Sequence, residues 1–397
     1  MTLPPRICPT PTNSRRRAPR VLWMLVLAVV LAAVLPVGAL HAASGIKVQE
    51  NTASYVFSER IDFKLKAKAD SRITNVILFY GQVGKPLVRR IYPDFNPGKS
   101  ISASFSEELY AGQYAPGTEM QYYWQLSTED GNTLRTSPKT FEYNDTNQKW
   151  IKISGEFVDL YYYANEKLAK ELAVKANADA SELAERYGTE LHLHLKVYLY
   201  NSRNDMALAI ASRSEGYDDA VTTLGVAVNE TTLLLLGSHR DVRGTLAHEL
   251  SHLVIGLATD NPFTALPRWL DEGLAMYAEG PLRSSNRTAL EMGIRTDSLL
   301  SIRSMTSYSG LASEVDLFYG EAYSIVDFMI NDLGEDKLHA LLDVLAKGER
   351  QEVALSQVYG FGLDELDRRW RISIGAEPSS SLRMPLLAYL PSLADAF

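Results

Sequence analysis

Cysteine is almost absent from this chain of 397 residues: Cys8 is the single one, and it precedes an apolar run near the N terminus. The residues after that run therefore carry no thiol. This excludes disulfides, thiolate metal ligands, a cysteine nucleophile and redox motifs from the folded part of the chain. The folded part must be stabilised by packing instead.

Basic residues are also fewer than acidic residues, with 40 Lys and Arg against 48 Asp and Glu. Residues 1–43 contain five arginines and no acid, so the remainder has 35 basic and 48 acidic residues, a formal charge of −13. An acidic chain is a poor partner for nucleic acid, and we take the charge as a contribution to solubility. The sequence lacks internal repeats and low-complexity tracts as well.

Long apolar runs are limited to residues 21–40, which follow a segment with four arginines. This order is typical of an export signal, with cleavage expected after Ala39, Ala42 or Ala43. Twenty apolar residues are also enough to span a bilayer uncut. We therefore predict that residues 1–43 are a signal peptide or an N-terminal membrane anchor. The predicted location is extracytoplasmic, either secreted or anchored to the membrane.

Residues 44–146 show the alternation of β-strands. From Ile61 to Ala69, apolar residues occupy every second position, and Asp or Lys occupies the positions between them. This pattern is typical of half-buried strands. About seven or eight such runs, separated by Gly, Pro, Asn and Asp, predict an immunoglobulin-like or fibronectin-like β-sandwich.

The polar run of residues 144–149 marks the predicted domain boundary, because the hydrophobic period changes after it. Apolar residues recur every three or four positions between Leu168 and Tyr187, which predicts an amphipathic helix. Strict alternation in residues 191–199 predicts a strand with its leucines buried. We predict an α+β domain over residues 147–376 and a C-terminal tail over residues 377–397. Later helices are expected over residues 244–257 and near residues 268–280, 321–333, 336–346 and 362–374.

The segment His-Glu-Leu-Ser-His, residues 248–252, places two imidazoles one turn apart on one helix face, with Glu249 beside them. Neutral imidazoles are good zinc ligands, and a catalytic zinc site uses three protein ligands plus a water. Glu249 is then placed to act as the general base toward that water. The alternative is a chance placement on a partly exposed helix, so a third ligand is required.

A second segment, Trp-Leu-Asp-Glu-Gly-Leu-Ala-Met-Tyr, follows at residues 269–277. With the first motif it resembles the gluzincin zinc metallopeptidases, and most closely the peptidase MA-like family, over about residues 150–375. The resemblance implies a zincin-like fold with Glu272 as the third zinc ligand. It also implies that Trp269 packs in the core and that Gly273 marks a close helix approach.

Asp271 competes with Glu272 for the role of third ligand. Nineteen residues separate His252 from Glu272, one more than in the best-known gluzincin aminopeptidases. Neighbouring helix positions point about 100° apart, so only one of the two carboxylates can face the histidines. The Trp-x-x-Glu-Gly match favours Glu272. Asp271 is then a helix N-terminal charge or holds a histidine N–H.

Two tyrosines and one strand extend the resemblance. The family carries a tyrosine-bearing helix at this position, and a positioned donor there stabilises the developing oxyanion. We assign that role to Tyr319, with Tyr323 as the alternative and packing as the competing explanation for both. Gly225 and Asn229 match a substrate-binding edge strand of aminopeptidase relatives in spacing only. A core strand is favoured there, and no site residue is assigned from it.

These features predict a zinc metallopeptidase that hydrolyses peptide bonds in a peptide or protein substrate, with Zn²⁺ held by His248, His252 and Glu272. The alternative function is a cell-surface binding or adhesion protein, in which the β-sandwich contacts a surface partner and the peptidase-like domain is inactive. The retained Glu249 favours the enzyme, because a purely structural metal site has no use for a carboxylate at that position.

Overall fold

The computed structural model describes residues 45–85, 89–210, 225–306 and 314–378. The apolar run near the N terminus and residues 379–397 of the predicted tail lie outside these ranges. The described part is a mixed α+β structure with an antiparallel N-terminal sheet, a second mixed sheet and a set of helices.

Seven antiparallel strands form the N-terminal sheet. They are β1 (Ile46–Val56), β2 (Arg60–Gln82), β3 (Arg89–Ile91), β4 (Gly98–Glu108), β5 (Thr118–Thr128), β6 (Thr133–Arg135) and β7 (Lys139–Tyr143). The predicted alternation is confirmed in β2, where Ile61, Phe63, Leu65 and Ala67 are fully buried. These side chains face the core of this sheet because successive residues of a strand point to opposite faces.

Strand β2 explains why the predicted two-sheet sandwich is not confirmed. Its first half pairs with β1 and β4, whereas its second half pairs with β3 and β5. The pairing of β2 with β4 shifts register between Lys68 and Ile73, where the strand changes partners. One strand of 23 residues thus belongs to both halves, and the seven strands form a single curled sheet.

The second sheet has the order β11-β12-β10-β9-β8. Its strands are β8 (Ile151–Ile153), β9 (Val158–Tyr162), β10 (Leu195–Tyr200), β11 (Gly225–Ala227) and β12 (Thr232–Leu236). The central strands β9, β10 and β12 are parallel, and both edge strands are antiparallel to their neighbours. The strand predicted from residue 191 begins only at Leu195, and Leu193 is 47% exposed.

Nine α-helices are present in the described residues. They are α1 (Glu166–Tyr187), α2 (Arg203–Ala207), α3 (Val242–Ala258), α4 (Arg268–Glu279), α5 (Ser284–Thr296), α6 (Val315–Asn331), α7 (Glu335–Ala346), α8 (Gln351–Tyr359) and α9 (Leu363–Ser373). Asn165 caps the start of α1, and Gly188, with φ of 65°, ends it. The sequence patterns did not predict α2, α5 and α8, and α6 begins six residues earlier than expected.

Two cores lie on opposite faces of the second sheet. Val197 and Leu199 of β10 belong to the core formed with α1 and α3. Tyr198 and Tyr200 of the same strand belong to the core of the N-terminal sheet. The two predicted domains therefore share buried surface, because one strand contributes its alternate side chains to both cores.

The predicted boundary segment is held between the two sheets. Asp145 is 2% exposed, and its carboxylate accepts a hydrogen bond from the Tyr200 hydroxyl at 2.9 Å. The Trp150 indole donates to the backbone oxygen of Asp145, also at 2.9 Å. The division of the chain near residue 146 stays a prediction, and this segment is not a free linker.

The predicted location of the chain needs correction. Among the described residues, no helix is both long enough and apolar enough to cross a bilayer. Helix α1 has 22 residues, but Asp, Glu, Lys and Arg occur along it. The apolar run on which the prediction of a membrane anchor rested lies outside the described residues, so no described helix supports an anchor.

Candidate metal centre

Helix α3 carries the first motif and is fixed by its buried face. Leu246, Leu250 and Val254 are fully buried against the core. Ser251, inside the motif, shares a hydrogen bond of 2.6 Å with the hydroxyl of Tyr187 at the end of α1. Both groups are buried, so this bond restrains the rotation of α3 and with it the direction of the histidines.

Helix α4 carries the second motif and lies close to α6. A Cβ atom on Gly273 would come within 2.4 Å of the backbone oxygen of Ala322, which only glycine permits. Trp269 is buried, and its indole N–H donates to Gln351 at 3.1 Å. The positions expected for Trp269 and Gly273 from the resemblance match these contacts.

The two helices bring His248, His252 and Glu272 together. The Nε2 atoms of the two histidines lie 3.3 Å apart. The Oε2 atom of Glu272 lies 3.5 Å from Nε2 of His248 and 3.7 Å from Nε2 of His252. These three atoms form a nearly equilateral triangle whose corners come from both motifs.

This triangle has the dimensions of a tetrahedral zinc site. Zinc–ligand distances of about 2.0–2.1 Å place the ligand atoms of a tetrahedron about 3.3–3.4 Å apart. In the described part of the chain, His248, His252 and Glu272 are the group of His, Cys, Asp and Glu side chains that could hold a metal ion. The donor set of two imidazoles and one carboxylate also suits zinc.

Carboxylates lie beside the outer nitrogens of both histidines. Nδ1 of His252 is hydrogen-bonded to the Asp271 carboxylate at 2.8 Å. Nδ1 of His248 lies 3.5 Å from the Glu279 carboxylate without forming a hydrogen bond. The bond to Asp271 fixes the tautomer in which Nε2 of His252 carries the lone pair for a metal. Asp271 therefore supports a histidine, which was one of the two roles left open by the sequence.

Arginines pair with two of the carboxylates at the centre. Arg268 contacts Oε1 of Glu272 at 2.8 Å, on the side away from the histidines. Arg283 pairs with Glu279. Burial alone would raise the pKa of Glu279, but His248 and Arg283 together hold it below its ordinary value. Glu279 is therefore ionised and can accept a hydrogen bond from His248.

The electrostatic environment favours a cation. Burial alone would lower the pKa of His248, but the neighbouring Glu272, Glu279 and Glu249 outweigh burial and raise it to about 10. The pKa of His252 is likewise raised, against burial, by Asp271 and Glu272. Negative groups thus surround both imidazoles, and they stabilise positive charge at the triangle.

Glu249 lies beside the triangle and contacts strand β11. The backbone N–H of Ala227 donates to Oε2 of Glu249 at 3.1 Å. A Cβ atom on Gly225 would lie 2.8 Å from Cγ of Glu249, so the strand runs directly against α3. Among the described residues, strand β11 is an edge strand rather than the core strand favoured by the sequence, because β12 covers only one of its sides.

A cleft of about 910 Å³ opens over these groups. Strand β11, both histidines, Glu249, Glu272 and Tyr319 line it. Tyr323 is not among the lining residues, and its ring packs against Tyr277 with centroids 5.9 Å apart. Of the two tyrosines considered from the sequence, Tyr319 is the one that faces the cleft.

Sequence reasoning missed Arg268 and Glu279. Both have a signal in the spacing, because they lie four residues before and seven residues after Glu272 on α4 and so share its helix face.

A family model described as the Peptidase MA superfamily matches residues 175–376, just over half of the chain. The chain belongs to the Peptidase MA superfamily. The match includes α3, α4, α6 and the whole metal centre. It begins after the N-terminal sheet and within α1. No curated protein sequence matches the chain.

Solved structures give more distant likenesses. An M1 zinc metallopeptidase mutant from Deinococcus radiodurans is 12% identical over 83% of this chain and 94% of its own, with a TM-score of 0.37. The same mutant bound to a Tyr-Ser-Ala substrate has a TM-score of 0.35 at 12% identity and the same coverage. A β-1,3-glucan binding domain of carbohydrate-binding module family 56 is 18% identical over 23% of this chain and 96% of its own, with a TM-score of 0.16.

Proposed function

We propose that the chain is a zinc-dependent metallopeptidase that hydrolyses peptide bonds in a peptide or protein substrate. His248, His252 and Glu272 hold the metal, and Glu249 is the general base. The observation that carries the proposal is the triangle of donor atoms with sides of 3.3, 3.5 and 3.7 Å, assembled from two separate helices. The membership of the Peptidase MA superfamily supports it.

The metal and the base divide the chemistry between them. When bound, zinc polarises the scissile carbonyl and lowers the pKa of a water toward neutrality. Glu249 accepts the proton as that water attacks and returns it to the leaving amine. His252 would keep its Nε2 atom turned to the metal because Asp271 holds its opposite ring nitrogen, and the Glu279 carboxylate lies 3.5 Å from the opposite ring nitrogen of His248.

Tyr319 is proposed as the second donor to the developing oxyanion. It lines the cleft from α6, whereas Tyr323 packs against Tyr277. A hydroxyl that is already in place when charge develops stabilises the transition state without reorganisation. The close contact of α4 with α6 at Gly273 fixes Tyr319 relative to Glu272.

The edge strand β11 supports an extended peptide as the substrate. It borders the cleft, and one of its sides is not covered by another strand among the described residues. Peptides bind such edges by adding a strand, which lays the scissile bond along the cleft. The inactive-relative alternative finds less support, because Glu249 is retained beside the metal triangle.

The experiment compares wild type with Glu249→Gln and with Glu291→Gln, an exposed glutamate on α5, in metal analysis and in cleavage of a peptide library. We expect one zinc in all three proteins, cleavage by wild type and Glu291→Gln, and a loss of at least a hundredfold in Glu249→Gln. Equal cleavage by all three proteins would rule out Glu249 as the base. Zinc binding without any cleavage by wild type would favour the inactive-relative alternative.

A further inference from the structure

Strand β11 directs part of its backbone away from its own sheet. Val228 N–H donates to Thr232 O at 2.9 Å, and Val226 lies opposite Leu234. Alternate residues of an antiparallel strand point their N–H and C=O groups to the same neighbour. Gly225 and Ala227 therefore direct these groups out of the sheet, on the side of the cleft.

The outward N–H of Ala227 already has an acceptor. It donates to Oε2 of Glu249 at 3.1 Å. The missing side chain of Gly225 allows this contact, because a Cβ atom there would lie 2.8 Å from Cγ of Glu249 and 2.8 Å from Cγ2 of Thr245. The base is thus held by the same strand edge that an extended peptide would use.

Strand β11 is fixed by contacts with the N-terminal sheet. Val226 and Val228 pack against the core of the N-terminal sheet. Lys85, three residues after the end of β2, pairs with Glu230 in the turn between β11 and β12. Glu249, in contrast, reaches the strand through a long side chain from α3. If Glu249 and a bound peptide compete for the Ala227 N–H, we expect the Glu249 side chain to move and the strand to keep its position.

We propose that the Ala227 N–H is a shared donor. It holds the Glu249 carboxylate until an extended peptide adds to β11, and it then passes to a carbonyl of that peptide. The transfer releases Glu249 toward the water and the scissile bond, so substrate binding frees the base. The proposal rests on the proposed peptidase function. Ala227 acts through its backbone and is a positioning residue.

The first test removes this N–H alone. Replacement of Ala227 by lactic acid turns the amide into an ester and keeps the side chain. Ala227→Pro removes the same N–H and is tolerated at an outward-facing edge position, because the ladder to β12 does not use it. Ala227→Val retains the N–H and adds a similar volume. The difference in KM and kcat between Ala227→Val and Ala227→Pro therefore reports the effect of the hydrogen bond alone.

The readout is the division between KM and kcat on the best-cleaved peptide of the library. The N–H makes one hydrogen bond in the free protein and one in the complex, so its removal should change both KM and kcat by less than about twofold while Glu249 is present. In Glu249→Ala only the bond to the peptide remains, and the same removal should weaken binding of acetyl-pentaalanine amide about fivefold. A tenfold fall in kcat would show that the N–H serves the base during the reaction. A fivefold rise in KM while Glu249 is present would show a donor to the substrate alone, and unchanged peptide binding in Glu249→Ala would show that the N–H does not bind the peptide. Each of these three results overturns the proposal.

The second test does not depend on activity. The amide proton of Ala227, observed by NMR in protein labelled with ¹⁵N-alanine, should move upfield in Glu249→Ala, because the carboxylate acceptor is removed. Adding acetyl-pentaalanine amide to this variant should move it downfield again. No movement on adding the peptide, in a protein whose wild type cleaves peptides, overturns the shared donor and leaves the peptidase proposal standing. Both movements without cleavage by wild type support the shared donor and count against the peptidase.

Discussion

At the level of single residues, the sequence predicted the motif, and the family resemblance favoured Glu272 over Asp271 as the third ligand. His248, Glu249 and His252 follow from their spacing on one helix. The choice between Asp271 and Glu272 depends on the rotation of α4, which residue counting cannot supply. The structure places Glu272 against both Nε2 atoms and Asp271 against Nδ1 of His252.

The two carboxylates should therefore differ in their effect on metal binding. Asp271→Asn keeps all three proposed ligands but weakens the hydrogen bond that orients His252, and we expect zinc affinity to fall about 10–100-fold. Glu272→Gln replaces a proposed ligand, and the zinc affinity of this variant should fall further. Competition with a chromophoric chelator measures both dissociation constants. A larger loss for Asp271→Asn, with Glu272→Gln near wild type, would reverse the assignment.

Glu321 gives a prediction about pH that is independent of the metal centre. This residue of α6 is fully buried, and Oε1 accepts the backbone N–H of Leu300 at 2.9 Å. Burial raises its pKa from 4.5 to about 8, partly offset by Leu300 and Arg371. Because the folded-state pKa is raised, the stability contributed by the protonated form is full below about pH 4.5 and is lost as the pH rises through about 8.

Glu321→Gln should remove this dependence, because glutamine stays neutral. We expect urea unfolding of wild type to lose a few kcal/mol more than the variant between about pH 5 and pH 8. Glu291→Gln, at an exposed site, should follow wild type. Parallel stability curves for wild type and Glu321→Gln would show that the carboxyl is already ionised in the folded protein.

At the scale of elements, helices with one apolar face were predictable and the others were not. Helices α1, α3 and α4 have regular apolar spacing, and the structure confirms them. Helix α5 buries only Asn286 and Gly293, so its sequence has no apolar stripe to detect. Residues 191–194 alternate in the same way as β10, but they lie outside the sheet. Alternation in the sequence does not show whether a neighbouring strand is available for pairing.

The contact between α4 and α6 gives a prediction at this scale. In Gly273→Ala the new methyl group would lie 2.4 Å from a backbone oxygen of α6, so the helices must separate. We expect a loss of about 1–3 kcal/mol in stability and weaker zinc binding, because Glu272 moves with α4. Gly256→Ala, on α3 with open space around it, should be neutral or stabilising by up to about 1 kcal/mol. Equal stability for the two variants in urea unfolding would contradict the close approach.

At the scale of the whole molecule, composition and strand density predicted two regions of different class. They did not predict that β2 runs through both halves of one curled sheet, because pairing partners and the register shift near Lys68 are properties of the folded chain. They also did not predict the shared core. The sequence around Tyr198 and Tyr200 predicts a strand whether or not the aromatic face of β10 packs against the N-terminal sheet.

The shared core predicts that the N-terminal sheet is needed for stability. Leu234 and Leu235 are neighbours on β12, both fully buried, but Leu234 faces the N-terminal sheet and Leu235 faces the helices. If the sheet is integral, Leu234→Ala and Leu235→Ala should each cost about 2–5 kcal/mol in chemical unfolding. A cost below about 1 kcal/mol for Leu234→Ala alone would mean that the sheet is a loosely attached module.

Binding of one zinc ion by three donors from two helices can be observed by anomalous diffraction at the zinc edge from crystals of the protein. We expect one strong anomalous peak about 2.0–2.2 Å from Nε2 of His248, Nε2 of His252 and Oε2 of Glu272. A zinc peak away from these atoms, or its absence in crystals grown with zinc, would show that these three groups do not hold the ion.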